Sequence, residues 1–211
     1  DQAGADIRAT YLNSLGTSNP WVNDPAGAVW DEDCGFWRAW MITTPEYGIP
    51  NTSDGQTVWT EVVSSDLLVW TYNQAPFLAQ YDTFGQMWGG SVIIDTNNTA
   101  GLGAGTVFYF VSSPGPSGAY VTQTISRWCA PALGYPPILE GCILAPPLGY
   151  PRQGGSGFRD SRVFWDSDRS EWVIGMSIDH GLCFYTFPDL NNWTFQWVED
   201  FHTWNQIECH N

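Results

Sequence analysis

The feature that most constrains this chain is a series of short apolar or alternating segments, each ended by turn residues and none carrying a helical stripe over three turns. These segments are residues 36–43, 57–64, 87–94, 106–111, 119–126, 162–165, 171–178, 182–187 and 193–198. Short strands at this spacing are typical of an all-β sandwich, barrel or propeller. Residues 1–20 lack the periodicity, so we expect an extended lead-in before a domain that spans 21–211.

An internal repeat favours the propeller among these folds. Segment 65–70 (SDLLVW) recurs as 188–193 (PDLNNW), and 126–128 (SRW) is interpreted as a degenerate third copy. The tryptophans that end these copies, Trp70, Trp128 and Trp193, are 58 and 65 residues apart. A unit of about 60 residues is enough for one four-stranded blade. Because propellers close with about 4 to 8 blades and this chain holds roughly three and a half, either the ring is small or another polypeptide completes it.

Composition narrows the class of partner. Aromatic residues make up 16% of the chain and charged residues 14%, the formal net charge is −15, and all seven cations are arginine. Such a negative field argues against nucleic acid and an anionic membrane as partners, but it leaves a neutral carbohydrate unaffected. No run of 18 apolar residues is present, and the polar start is not a signal peptide, so export requires a leader already removed. Sequons at Asn51, Asn97 and Asn192 favour a secreted, extracellular protein.

The cysteines and acidic clusters predict no metal or cofactor site. Five cysteines without a C-x-x-C pair argue against a zinc or thioredoxin-like centre. Cys129 and Cys142 are placed to close a disulfide across Pro-rich sequence, whereas Cys209 is expected outside any intrachain bridge. The acidic clusters at 31–33 and 166–171 are spaced like hairpin turns and do not fit a twelve-residue calcium loop. The Pro- and Gly-rich segment 131–157 is expected to be irregular, as a pocket-rim loop or a tether.

Three acids lie in unusual settings near predicted strand starts: Asp24, Asp160 and Glu208. Asp24 stands between Asn23 and a proline just before an apolar run, where an Asx turn into a strand is the alternative. Arg159 precedes Asp160 and keeps it ionised if the two side chains meet, although a surface ion pair would look the same in sequence. Glu208 has apolar and aromatic neighbours that raise the pKa of a carboxyl, unless it is a solvated strand end.

In this order the motifs resemble glycoside hydrolase family 32, the invertases, inulinases, levanases and fructosyltransferases. The matching segments are 21–27 (WVNDPAG), 158–161 (FRDS) and 208–209 (EC), with the Asp-Leu-x-x-Trp repeats between them. Segment 87–91 (MWGGS) sits where that family has a Phe-Ser-Gly-Ser segment contacting substrate, and 57–60 (TVWT) where it has Trp-Gly-His. The resemblance covers nearly the whole chain and implies a five-bladed β-propeller, of which this chain supplies the first blades.

The resemblance also implies a role for each acid. Asp24 is expected to be the nucleophile, Glu208 the general acid/base and Asp160 the stabiliser of the transition state through sugar hydroxyls. Such a pair of carboxylates suits a retaining glycosidase, and a third fixed negative group suits an oxocarbenium-like transition state. The sugar contacts implied are Asn23, Trp59, Trp88, Gly89 and Arg159. Core packing is the alternative for the two tryptophans, and a backbone cap is the alternative for Asn23.

Some positions depart from the family pattern. Arg-Asp-Pro reads Arg159-Asp160-Ser161, Glu-Cys-Pro reads Glu208-Cys209-His210, and the Gly-His after Trp59 is Thr60-Glu61. These changes spare the three acids, so the resemblance implies cleavage of β-fructofuranosidic bonds in sucrose or fructans, with transfer of fructose to another sugar as a side or main reaction. We also expect a second polypeptide or homo-oligomer that completes the propeller. A catalytically silent carbohydrate-binding propeller and a five-bladed glycosidase acting on arabinose-containing polymers are the alternatives.

Overall fold

The computed structural model describes residues 21–44, 57–72, 87–113, 124–150 and 157–201. Twelve strands lie in these ranges: β1 (Trp21–Asp31), β2 (Phe36–Thr44), β3 (Val58–Ser64), β4 (Thr71–Tyr72), β5 (Gly90–Asp95), β6 (Thr106–Ser113), β7 (Thr124–Ala130), β8 (Ile138–Leu144), β9 (Arg159–Asp166), β10 (Glu171–Ile178), β11 (Gly181–Phe187) and β12 (Thr194–Asp200). The described ranges hold no helix, which confirms the all-β prediction. No membrane-spanning helix is found among them.

Some predictions fall outside the described residues. They are the lead-in 1–20, the sequon at Asn51, the acid Glu208 and its neighbour Cys209.

The strands form three antiparallel sheets of four, each made of consecutive strands. Sheet I has the order β1-β2-β3-β4, sheet II β5-β6-β7-β8 and sheet III β9-β10-β11-β12. Their first strands begin at Trp21, Gly90 and Arg159, so the unit repeats every 69 residues rather than every 60 or so. In space, β5 packs against both β1 and β9, which puts the first strands of the three sheets next to one another.

Three apolar clusters form the core, and two of them join neighbouring sheets. One lies between sheets I and II and contains Trp40, Trp59 and Tyr109, and a larger one lies between sheets II and III and contains Phe110, Ile174 and Tyr185. The third covers the opposite face of sheet I around Met41. Strand β10 is buried along nearly its whole length. Its alternate residues belong to the larger cluster, namely Trp172, Ile174, Met176 and Ile178.

The Asp-Leu-x-x-Trp repeat is confirmed in two places, where it forms the turn between the third and fourth strands of its sheet. Asp66 Oδ1 accepts the N–H groups of Leu68 and Val69 at 2.8 and 2.9 Å. Asp189 Oδ1 accepts two N–H groups in the same way, both at 3.0 Å. The leucine after each aspartate has positive φ, 62° at Leu67 and 59° at Leu190. These N–H bonds lower the pKa of both aspartates, because they favour the charged carboxylate.

The prediction of a third copy of the repeat at residues 126–128 was wrong. Residues 126–128 lie inside β7, and the equivalent turn of sheet II comes later, between Ala130 and Ile138. The prediction for 131–157 was also wrong in part, because the strand β8 occupies Ile138–Leu144. Pro and Gly on both sides of β8 hide it in the sequence, and its pairing with β7 carries register shifts at two points.

The predicted disulfide between Cys129 and Cys142 is also wrong. Cys129 has a free thiol and pairs with Ile138 across the ladder, whereas Cys142 pairs with Ser126. The two cysteines are thus displaced along the strands by three residues of β7, about 10 Å at the usual rise per residue. A disulfide needs Cα atoms within about 7 Å, so the register excludes it. Cys34 and Cys183 also have free thiols.

Candidate active site

Asp160 is the second residue of β9 and sits in a β-bulge. Arg159 pairs with Ser177 and Arg162 with Gly175, so Asp160 and Ser161 together face one residue of β10, Met176. Asp160 has φ 56°, the left-handed region that residues with a Cβ rarely adopt. Bulges and such conformations are concentrated next to active sites because they redirect a side chain. The local backbone therefore singles out Asp160 independently of its motif.

Gly89 forms the surface against which the Asp160 carboxylate lies. A Cβ placed on Gly89 would collide with Asp160 Oδ1, so a side chain at this position requires the Asp160 carboxylate to move. A Cβ on Gly90 would collide with the carbonyl of Phe110 in the neighbouring strand and with the ring of Trp59. The two glycines thus allow segment 88–90 to pass close to β9 and to the aromatic core.

Arg159 lies beside the acid that it precedes. Its Nε is 3.5 Å from Asp160 Oδ2, and both side chains are almost completely buried, with 11% and 10% of their surfaces exposed. An ion pair in so little solvent is screened far less than one on the surface. This geometry confirms the expectation that the two side chains meet, and it contradicts the alternative of a surface ion pair.

Trp59 is a core residue in this structure. Its side chain is completely buried, with 0% exposure, and its Nε1 donates to the carbonyl oxygen of Trp88 at 2.7 Å. Thr57 supports the same segment, since its hydroxyl donates to the Met87 carbonyl at 2.7 Å. Trp59 therefore holds segment 87–90 in place, and direct contact between Trp59 and a sugar stays a prediction. Trp88 is partly exposed.

Two serines of sheet II bind the backbone of β9. Asp160 N–H donates to Ser112 Oγ at 2.8 Å, and Val163 N–H donates to Ser91 Oγ at 3.1 Å. Gly89 meets Asp160 and Ser91 meets Val163, so residue numbers rise together along the two chains. Strands β5 and β9 consequently run in the same direction where they meet.

Asp24 and Asn23 also lie at a bulge on the first strand of their sheet. Val22 pairs with Thr43 and Pro25 with Met41, which leaves Asn23 and Asp24 opposite the single residue Ile42. Both side chains are half-buried. The strand was predicted to follow Asp24, but β1 begins at Trp21 and passes through it.

A row of contacts leads from this bulge toward Asp160. Ile42 faces the Asn23–Asp24 bulge on one side and pairs with Trp59 on the other. Trp59 binds the Trp88 carbonyl, and the next residue, Gly89, abuts Asp160. The structure thus brings Trp59, Trp88, Gly89, Arg159 and Asp160 together, and connects them to the strand that carries Asp24. Within the described residues no group of three metal-ligating side chains occurs.

Sequence reasoning missed Ser112 as part of this site, and it included Ser91 only within segment 87–91, with no role of its own. Both are fully buried and point from sheet II to β9. A serine inside an apolar strand is a weak signal by itself, because its hydroxyl usually bonds to nearby backbone. Only the packing of two sheets shows which backbone N–H it receives.

Comparison with known proteins gives one family. The model described as "Glycosyl hydrolases family 32 N-terminal domain" matches residues 15–211. The levanbiose-producing levanase of Bacillus subtilis is 27% identical over 191 residues, which cover 90% of this chain and 34% of that protein. The invertase of Kluyveromyces lactis is 28% identical over 202 residues, covering 83% of this chain and 29% of that protein. The chain therefore spans about a third of the length of these curated relatives.

Solved structures share the fold. The fructofuranosidase from Schwanniomyces occidentalis complexed with fructose aligns with a TM-score of 0.72 at 22% identity, over 92% of this chain and 37% of that chain. The exo-inulinase from Aspergillus awamori aligns with a TM-score of 0.64 at 24% identity, over 85% of this chain and 37% of that chain. The three sheets are accordingly blades of the β-propeller type.

Proposed function

Because the chain belongs to glycoside hydrolase family 32, we propose that it carries the catalytic face of an enzyme that cleaves β-fructofuranosidic bonds in sucrose or fructans. The observation that carries this proposal is the placement of Asp160. It lies in a left-handed bulge, beside Arg159 and against Gly89, on the first strand of its sheet. A carboxylate held in this way is fixed before substrate arrives, as electrostatic stabilisation of a transition state requires.

The proposed chemistry is a double displacement with retention. Asp24 attacks the anomeric carbon of the fructosyl unit, while Glu208 donates a proton to the departing oxygen. Glu208 then takes a proton from water as the water oxygen attacks the anomeric carbon and the bond to Asp24 breaks, which releases fructose. When the oxygen of a sugar hydroxyl attacks in the same way, the product is a transferred fructosyl unit. Asp160 stays ionised and binds sugar hydroxyls more strongly as positive charge develops on the ring. Asn23, Trp88 and Arg159 are proposed as sugar contacts, and Trp59 as a contact or as support for Trp88.

Strand register supports the convergence of Asp24 and Asp160. A Cβ placed on Gly27 would lie 3.2 Å from Val92 N, which sets β1 against β5 at that level. Strand β1 has register shifts on both sides of Pro25, so Asn23 and Asp24 lie only about two positions along the ladder before Gly27. If β1 runs in the same direction as β5, they lie near the level of Gly90, and the neighbouring Gly89 touches Asp160. Asp24 and Asp160, two of the three proposed acids, then lie at the same end of the first strands of their sheets.

The remaining parts of the proposal concern the whole protein. We propose a five-bladed ring, in which the three sheets are completed by further blades from a second polypeptide, from the rest of the polypeptide or from another copy. Secretion is proposed from the three sequons, and is supported by relatives such as the exo-inulinase of Aspergillus niger, which is described as extracellular.

The test measures fructose release from sucrose, inulin and levan by the protein as its host produces it. Asp24→Asn is expected to lower kcat by about 10⁴-fold or more, as loss of a nucleophile does, and Asp160→Asn by about 10²–10³-fold. Asp33→Asn is the matched control, because Asp33 is an exposed acid in the β1–β2 turn and is expected to leave kcat unchanged. Thermal unfolding of each variant separates loss of chemistry from loss of fold.

Other outcomes point elsewhere. Sugar binding without hydrolysis, unchanged by Asp24→Asn, would identify a carbohydrate-binding propeller. Release of arabinose from arabinose-containing polymers, with fructans untouched, would identify a different glycosidase. Either result would refute the proposal.

A further inference from the structure

We propose that Ser112 is a positioning residue for Asp160, acting through the bond between its buried hydroxyl and the Asp160 backbone N–H. The inference rests on the proposed function, since the role of Asp160 in catalysis is part of it. Ser112 lies in β6, in the neighbouring sheet, and is expected to make no contact with substrate because its side chain is completely buried.

Strand β9 needs hydrogen-bond acceptors from outside its own sheet, and this bond supplies one. As the first strand of sheet III, β9 pairs with β10 along one edge only. Buried N–H groups on its other edge need acceptors from outside the sheet. Ser112 Oγ accepts from Asp160 at 2.8 Å, and Ser91 Oγ accepts from Val163 at 3.1 Å.

At Asp160 the bond also fixes an unusual conformation. Aspartate visits the left-handed region more readily than most residues, but it stays there only when its surroundings hold it. The Ser112 hydroxyl restrains the peptide plane on the amino side of Asp160. Rotation of that plane would carry the carboxylate away from Arg159 and from Gly89.

Ser112 also holds segment 88–89, against which the Asp160 carboxylate lies. Its N–H donates to the Gly89 carbonyl at 3.0 Å, and its carbonyl accepts the Trp88 N–H at 2.9 Å. One residue is therefore bonded to segment 88–89 through its backbone and to Asp160 through its side chain. The separation between Gly89 and the Asp160 backbone is set by these three bonds.

Ser112→Ala removes the hydroxyl and leaves the two backbone bonds. We expect kcat on sucrose or inulin to fall by about ten- to a hundredfold with KM changed less than about threefold, because small misplacements of a catalytic group cost this much. Ser112→Cys fills the same space with a poor acceptor and is expected to lose nearly as much. It also carries the test if Ser112→Ala does not fold.

Tyr185→Phe is the matched control. Tyr185 OH donates to the Ala145 carbonyl at 3.2 Å. This part-buried hydroxyl bond joins β11 of sheet III to the residue that follows β8 of sheet II, away from β9. This variant is expected to lose a similar amount of thermal stability and to keep its kcat. If the role of Ser112 were purely structural, Ser112→Ala and Tyr185→Phe would both lose thermal stability and both keep their kcat.

The experiment measures kcat, KM and hydrogen exchange of the peptide that covers residues 157–165, in the protein as its host produces it. Faster exchange there in Ser112→Ala but not in Tyr185→Phe, together with the selective loss of kcat, supports the inference. Unchanged exchange, or equal kcat in the two variants, overturns it while the parent remains active. An inactive parent refutes the proposed function itself, and the positioning role falls with it.

Discussion

At the scale of single residues, Asp160 and Gly89 form a complementary pair from two sheets. The acid takes a backbone conformation that suits glycine, whereas the true glycine opposite it is needed for space rather than for φ. Sequence motifs pointed to both residues. The reason that they belong together, a collision between any Cβ at Gly89 and the Asp160 carboxylate, exists only in the folded protein.

Gly89→Ala tests this pair. The new methyl group must displace the Asp160 carboxylate, so we expect kcat to fall by about 10²-fold, as for a catalytic group misplaced by about 1 Å. Gly35→Ala is the control, since Gly35 has φ 71° and nothing within 4 Å of its Cβ position. It should lower the midpoint of thermal unfolding through backbone strain and leave kcat intact. Full activity in Gly89→Ala would show that the carboxylate need not lie there.

At the scale of elements, the same turn is used twice in different surroundings. In sheet III, Leu190 is completely buried, and its carbonyl and the Asn191 side chain accept from Arg127 of sheet II. In sheet I, the equivalent Leu67 is 50% exposed. Local hydrogen bonds by the aspartate form the turn in both cases, but only one copy is packed against a neighbouring sheet.

Leu190→Ala and Leu67→Ala are therefore a matched pair. Removal of a fully buried leucine side chain costs about 2–5 kcal/mol, whereas a half-exposed one in the same turn should cost less than about 1 kcal/mol. Urea denaturation of both variants gives the free energies of unfolding. Equal losses would mean that Leu67 is covered in the assembled protein, as it would be by a further blade.

The bulges show what sequence reveals about elements and what it does not. The segments 36–43, 171–178 and 182–187 were predicted almost to the residue, because they alternate or are continuously apolar. Strands β1 and β9 were predicted to start too late, after Asp24 and Asp160, because polar residues interrupt them there. Those interruptions are the bulges, and pairing with β2 and β10 carries the strands through them.

At the scale of the whole molecule, stability depends on groups whose pKa values folding shifts in opposite directions. Burial tends to raise the pKa of Asp31, but hydrogen bonds from Arg38 and the Cys34 N–H outweigh it and lower the pKa. The pKa of Asp189 is lowered by backbone N–H groups. Burial raises the pKa of Cys183 to about 12, and raises the pKa values of Tyr109 and Tyr185 above the ordinary tyrosine value.

These shifts predict a plateau of stability with losses at both ends. The aspartates bind protons more weakly in the folded protein, so the free energy of unfolding falls as pH drops below their ordinary value of 3.8. The thiol and the phenols hold their protons more tightly in the folded protein. The free energy of unfolding therefore also falls as pH rises above 9.0, the ordinary pKa of the thiol, and then above 10.0, the ordinary pKa of the phenols. Urea denaturation across pH measures both limbs. Tyr109→Phe should flatten the alkaline limb, and a curve that rises toward low pH would contradict the assignment.

By itself the sequence determined the all-β class, the turns of the Asp-Leu-x-x-Trp repeat, the family and the motifs around Asp24 and Asp160. These depend on local periodicity, on aspartate caps and on residues within a few positions of one another. The tertiary structure decided the 69-residue unit, strand β8, the free thiol of Cys129, the burial of Trp59 and the link from Ser112 to Asp160. Each of these depends on which strand lies beside which, and contacts between residues tens of positions apart leave no periodic trace in the chain.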